Sequence, residues 1–389
     1  MTDKKRGSEK TTKKPNLPGP AIGDRLPRSK AGDLITDIAR AAGKGITAAK
    51  RGVVIVEDIR QLFSDQVKQG DVFLLVTTRD GQEQARLCRL AGEKRILVGI
   101  DTADLPAMSG YGAQFEKIFD YLMIQARAQA FDFKRREMRK DEIIIDFSDL
   151  VKRGYYDRAE DARAGFADVM KKLSLISYDI SRILHTGEEL KGVEEVDLRR
   201  RLFARGFSET DESSRPITAA YTFREDGKAV VYINTALITE FPGFFEKTTD
   251  LPRFAARLDI GAYRLLKFIE SAATEAKNRH RLAADHFFDI PLQQAAEKMK
   301  LPSTTRKTKE KILEPIRAAV DQVNLYAKAE AKETGLPCQI RGVIEPNGED
   351  LPRKILTFGY IRIWFAAESL RAITQNAEDV SVKLPATGR

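Results

Sequence analysis

From about residue 112 onward the chain spells one order of elements twice, and nothing else in the sequence constrains its fold as much. In the first copy Phe115, Ile118, Phe119, Leu122 and Ala126 recur at three- and four-residue spacing, the stripe of an amphipathic helix. Ile143, Ile144 and Ile145 form a short β-branched run. Ser148 is placed to cap a brief helix through Leu150 and Val151, and Gly154 to end it. Ala162, Phe166, Val169, Met170 and Leu173 stripe the next helix. Apolar runs follow near 175–183 and 217–223, and Asp226-Gly227 leads into 229–233 with the signature of a hairpin turn.

The second copy repeats the order. Ala262, Leu266, Ile269, Ala273 and Ala276 stripe a long helix, and Phe287, Phe288 and Ile290 form a short extended run. Leu292, Ala295, Ala296 and Met299 make a short helix broken at Leu301-Pro302. Ile312, Ile316, Ala319, Val320 and Val323 stripe the last helix, which Gly335-Leu336-Pro337 stops. The runs 338–343 and 354–364 then read as a hairpin. Helix, short strand, helix, helix, hairpin is the order of a winged helix, a helix-turn-helix carrying a β-hairpin wing. The expected fold class is α+β, with two tandem winged-helix domains over 112–249 and 250–370 and a C-terminal tail over 371–389.

The residues before 112 read differently. Lys4, Lys5, Arg6, Lys10, Lys13 and Lys14 precede Pro15, Pro18, Pro20 and Pro27, with no apolar period. Residues 1–31 are therefore expected to be a disordered basic tail, either solubilising or a non-specific DNA-binding arm. Residues 32–110 form an N-terminal extension of uncertain fold. Leu34, Ile35 and Ile38 suggest a helix there, and 53–56, 72–78 and 96–100 suggest strands.

Charge narrows the partner. The chain carries 66 Lys and Arg against 57 Asp and Glu, a net +9. The surplus lies at the two ends, with 13 basic against 5 acidic residues in 1–51 and 23 against 18 in 250–389. A polyanion such as nucleic acid is the partner this favours. No apolar run is long enough to cross a membrane, no secretory h-region follows the N-terminal charges, and Cys88 and Cys338 form no disulfide framework. A cytoplasmic location is expected.

The stretch from Phe288 to Asn324, FDIPLQQAAEKMKLPSTTRKTKEKILEPIRAAVDQVN, resembles the helix-turn-helix region of plasmid replication initiators of the tandem winged-helix type. The carriers are the short β run, the basic helix with Lys311-Ile312-Leu313-Glu314-Pro315, and the closing Val323-Asn324. Ser303-Thr304-Thr305 stands where many relatives place an aromatic residue, and Asp321-Gln322-Val323 replaces the more usual Lys-Glu-Ile. The first copy, with a charged insertion over about 185–215, departs further. The resemblance implies a protein that binds repeated origin sites on double-stranded DNA, promotes local melting and recruits a host replicative helicase or initiator. It also implies a possible homodimer. A winged-helix transcriptional regulator without replication activity is the alternative.

A recognition helix reads base edges mainly with its N-terminal residues. The candidates are Ser303, Thr304, Thr305, Arg306, Lys307, Lys309 and Lys311, on a helix expected over 304–324. Arg306 suits a bidentate contact to guanine, and the lysines suit phosphates. Pro315 is expected to kink this helix. In the first copy Arg158, Arg163, Lys171 and Lys172 are the counterparts, though Glu160, Asp161 and Asp168 share their helix. Wing contacts are assigned to Arg353 and Lys354, or to Arg224 and Lys228.

No catalytic residue, metal or cofactor is expected. The P-loop pattern is absent. His185, His280 and His286 do not form the closely spaced pair of a metal-dependent nickase, and Tyr155-Tyr156 reads as aromatic packing at the helix-turn corner.

Overall fold

The computed structural model describes residues 24–27, 30–43, 53–56, 72–79, 82–91, 96–108, 112–132, 137–138, 142–180, 214–216, 218–233, 248–273, 287–301, 309–335, 340–345 and 359–365. The architecture is α+β, with helices packed among small sheets. In chain order the N-terminal elements are β1 (Asp24–Pro27), α1 (Lys30–Gly43), β2 (Val54–Val56), β3 (Val72–Arg79), β4 (Gln82–Ala91) and β5 (Ile96–Asp101). Then come α2 (Ala113–Ala130), β6 (Phe131–Asp132), β7 (Glu137–Met138), β8 (Glu142–Asp146), α3 (Phe147–Lys152), α4 (Ala159–Ser174), β9 (Ser177–Ile180), β10 (Ser214–Pro216), β11 (Thr218–Phe223) and β12 (Lys228–Ile233). The last group is β13 (Thr248–Leu251), α5 (Ile260–Ala273), β14 (Phe287–Pro291), α6 (Leu292–Lys298), α7 (Lys309–Thr334), β15 (Ile340–Glu345) and β16 (Tyr360–Phe365).

The repeated sequence pattern becomes repeated topology. One three-stranded sheet has the order β11-β12-β8 and another the order β15-β16-β14. In each, the strand ahead of the short helix pairs antiparallel with the second hairpin strand. The period-two alternation explains why these segments are strands: Ile143 and Ile145 point into the core from β8, and Ile361, Ile363 and Phe365 from β16. The helical stripes behave as the spacing requires, with Phe115, Ile118, Phe119, Leu122 and Ala126 of α2 and Ala262, Leu266, Ile269 and Ala273 of α5 all buried.

Three features depart from the sequence expectations. First, β1 lies within the segment read as a tail and pairs antiparallel with β13, from Asp24 opposite Leu251 to Pro27 opposite Thr248. Leu26 is buried there, and burial of this side chain together with the ladder offsets the ordering entropy of the strand. Residues 1–23 lie outside the described residues. Second, the sheet that begins in the N-terminal extension crosses the boundary drawn at 110–112. Strands β2–β5 join β9 and β10, from beyond residue 112, in a six-stranded sheet of order β10-β9-β5-β4-β3-β2, and α1 packs on β4 and β5. Third, Ser148 does not cap α3. Asp146 is the N-cap, its carboxylate accepting from the Ser148 N–H at 2.8 Å, and hydrogen bonding from Ser148, its side chain foremost, holds the Asp146 carboxyl below its ordinary range.

Pro315 sits inside α7, which runs without a break from Lys309 to Thr334 and past the expected end at 324. A cluster of buried apolar side chains links all three parts of the chain, from Ile38 of α1 through Phe166 of α4 to Ile363 of β16.

Candidate nucleic-acid interface

The two copies turn the same corner with the same backbone bonds. In the first, the Gly154 N–H donates to the Val151 carbonyl at 2.9 Å and the Tyr155 N–H to the Leu150 carbonyl at 3.0 Å. In the second, the Lys300 N–H donates to the Glu297 carbonyl at 3.0 Å and the Leu301 N–H to the Ala296 carbonyl at 3.0 Å. Both corner residues are left-handed, with φ 82° at Gly154 and 60° at Lys300, the closure that satisfies the last carbonyls of a helix. Each short helix is also entered alike. The Phe147 N–H donates to the Gly227 carbonyl at 3.3 Å and the Leu292 N–H to the Gly359 carbonyl at 3.0 Å, each glycine lying just ahead of the second hairpin strand.

Around the first corner, Tyr155 is buried with its ring 5.3 Å from that of Tyr121. The Tyr156 hydroxyl is buried against Gly165, and burial pushes it up to about 12. Both aromatic residues pack the corner, in line with the sequence expectation. Phe147, Phe166, Tyr221 and Phe223 fill the space between α3, α4 and the hairpin, with ring centroids 5.5 to 6.5 Å apart.

The candidate DNA-contacting residues are placed unequally. Ser303, Thr304, Thr305, Arg306 and Lys307 lie outside the described residues, as do Arg353 and Lys354. Lys309 and Lys311 fall in the first turn of α7, and their side chains lie outside the described set. In the first copy Arg158 occupies the N-cap position of α4 and is exposed, as are Arg163 and Lys171. The Arg163 guanidinium lies over Phe223, 4.6 Å from its centroid, so it ties α4 to the hairpin. Lys172 does not stand on the exposed face where its sequence position put it. It is 6% exposed, and its ammonium donates to the Asp168 carboxylate at 2.6 Å one helical turn away. Arg224 and Lys228 share Asp226 at the hairpin tip, each at 3.4 Å.

The shared corner also sets a register between the copies. Placing Gly154 on Lys300 puts Arg158 at the position of Thr304 and Arg163 at that of Lys309. It puts Glu160 and Asp161 where the second copy has Arg306 and Lys307. Counted along the sequence from the shared corner, the two copies therefore carry opposite charge at these two positions.

Other residues hold the site together from outside the candidate set. Asn324 donates to the Gly342 carbonyl and accepts from the Gly342 N–H, both at 2.8 Å, and so fastens α7 to β15. Gln129 does the same for the Ile144 backbone, at 2.7 and 2.9 Å. On the outer face of the second hairpin sheet Arg341 lies 5.7 Å from the Trp364 centroid. Arg362 is held by Asp289 at 2.9 and 3.1 Å and lies 4.6 Å from the Phe287 centroid. Among the described residues no group of three or more His, Cys, Asp or Glu could hold a metal ion, and no helix is long and apolar enough to cross a membrane.

No protein-family model matches the chain, and no curated protein matches it in sequence. The solved structures that match the chain include two of RctB. The crystal structure of RctB domains 2-3 has a TM-score of 0.33 at 11% identity, covering 78% of this chain and 94% of that one. The selenomethionine derivative of RctB domains 2 and 3 has a TM-score of 0.33 at 12% identity, covering 85% and 98%. A likeness of that size carries no weight for function.

Proposed function

We propose that this chain is a sequence-specific double-stranded DNA-binding protein with two winged-helix domains, 112–249 and 250–370, and that it initiates plasmid replication. The corner shared by 149–155 and 295–301 carries the proposal. A helix-turn-helix presents its second helix from such a corner, and a three-stranded sheet of one topology accompanies it in each copy. The resemblance of 288–324 to plasmid replication initiators supports the assignment to replication.

In this scheme the second copy reads sequence, through Arg306 on a guanine edge with Ser303, Thr304 and Thr305 beside it. Lys307, Lys309, Lys311, Arg353 and Lys354 hold phosphates and fix register. The first copy meets the other half of the site through Arg158, Arg163 and Lys171, with Glu160 and Asp161 leaving it the weaker reader of the two. Origin repeats are the DNA partner, and a host replicative helicase or initiator is the protein partner. A homodimer is the second assembly state, and the cytoplasm is the site of action.

A plasmid that carries the gene with its flanking DNA and no other origin tests the assignment. Maintenance of that plasmid in the host, lost with Arg306→Ala, is the expected result. Tight binding to a single palindromic site without plasmid maintenance would instead make the protein a transcriptional regulator.

A further inference from the structure

Helix α2 reaches the corners of both copies. From its first turn the Gln114 amide donates to the Tyr155 carbonyl at the first corner, at 2.5 Å. Two residues on, the Glu116 carboxylate accepts from Arg264 of α5, with Nε–Oε2 at 2.9 Å. The same guanidinium reaches the Met299 carbonyl at 3.3 Å, one residue before the left-handed Lys300 of the second corner. Both corners are thus tied to one turn of one helix.

The connector between the copies is held from the same helix. The buried Lys117 ammonium donates to the Ala256 carbonyl at 2.8 Å and to the Leu258 carbonyl at 2.5 Å. Asp120, also buried, accepts from the Tyr263 hydroxyl at 2.7 Å and from Lys267 at 2.5 Å. The pairing of β1 with β13 fastens the start of the connector. Buried ion pairs add little to stability beyond what well-packed apolar groups would supply. What these pairs add is direction, because each fixes a donor angle and a distance that apolar contacts leave free.

We propose that this seam is a ruler. It fixes the separation and rotation of the two corners, so that the protein accepts DNA whose two half-sites lie at one spacing and one helical phase. Glu116, Asp120 and Arg264 are positioning residues in this scheme. The proposal rests on the DNA-binding function above and adds to it the geometry of the accepted site.

The test uses the full-length protein and duplexes selected by it from a random-sequence pool. The selected site is then remade with ~5 bp, about half a helical turn, or ~10 bp, about one turn, inserted at its centre. For the unaltered protein either insertion should cut affinity about tenfold or more, because the second unit loses its partner. In E116Q/D120N the half-turn penalty should fall below about threefold, with affinity for an isolated half-site unchanged. E116Q/R264M repeats the measurement through the other arm of the seam. Retained half-site affinity shows that each variant is folded. An unaltered protein that tolerates the half-turn insertion overturns the ruler, and so do folded variants that keep the full penalty. In both cases specific DNA binding stands. Failure to select any discrete site overturns DNA reading itself, and the ruler with it.

Discussion

At the scale of single residues, two positions carry large effects for reasons visible in the backbone. Gly154 sits at φ 82°, where a Cβ strains against its own carbonyl, and the added atom would also lie 2.7 Å from the Arg257 stem. Gly154→Ala should lower unfolding free energy by about 1–2 kcal/mol in urea titration. An unchanged midpoint would mean that the corner relaxes freely. Asn324 satisfies both backbone groups of Gly342. Asn324→Ala leaves that N–H and carbonyl without their partner, and a loss of about 1–3 kcal/mol is expected in the same titration. Asn324 belongs to the motif that carries the resemblance, and its role turns out to be fastening a helix to a hairpin. Lys300 and Lys172 were the residues least legible in the sequence. A left-handed corner is expected at glycine, and Lys300 hides it. A lysine beside Lys171 on a basic helix reads as solvated, and only the Asp168 carboxylate one turn away explains its burial.

At the scale of elements, legibility followed locality. The helices and core-facing strands of both copies were evident because their apolar period is local. Strand β4 was not, because QEQARLCRLA has no clean alternation: it buries Arg86 beside Leu87 and Cys88. Arg86 is accommodated by Asp101 on the neighbouring strand, at 3.2 Å. The joining of β5 to β9 is a long-range pairing across the inferred boundary at 110–112, and no window of sequence encodes it. The seam between α2 and α5 was equally hidden, since its partners are about 140 residues apart.

That seam has a measurable acid response. Burial raises the Asp120 carboxyl above its ordinary value, and Lys267 and Tyr263 pull it part of the way back. A carboxyl raised in the folded state binds protons more readily there than in the unfolded chain. Its contribution to stability is full below the ordinary Asp value of 3.8 and is lost as pH rises through the raised value. Asp120→Asn removes that loss. Urea midpoints for this variant, measured upward from the ordinary Asp value, should therefore climb more steeply with pH than those of the unaltered protein. Parallel pH profiles would contradict the placement of Asp120 in the seam.

At the scale of the whole molecule, the proposed arrangement has two copies of one unit, joined by a bonded connector, that present a stronger and a weaker reading corner to DNA. Their charges differ at matching positions, Arg306 and Lys307 against Glu160 and Asp161. The most direct measurement is a footprint of the purified protein on the DNA flanking its own gene, taken across a salt series, with Arg306→Ala and Lys307→Ala in parallel. Several evenly spaced protected repeats are expected. Arg306→Ala should weaken them by about 1–3 kcal/mol and relax the sequence at one position. Lys307→Ala should lower the slope of log affinity against log salt by about 1. Retention that depends only on salt, with no discrete protection and no response to either substitution, would contradict sequence reading by this protein.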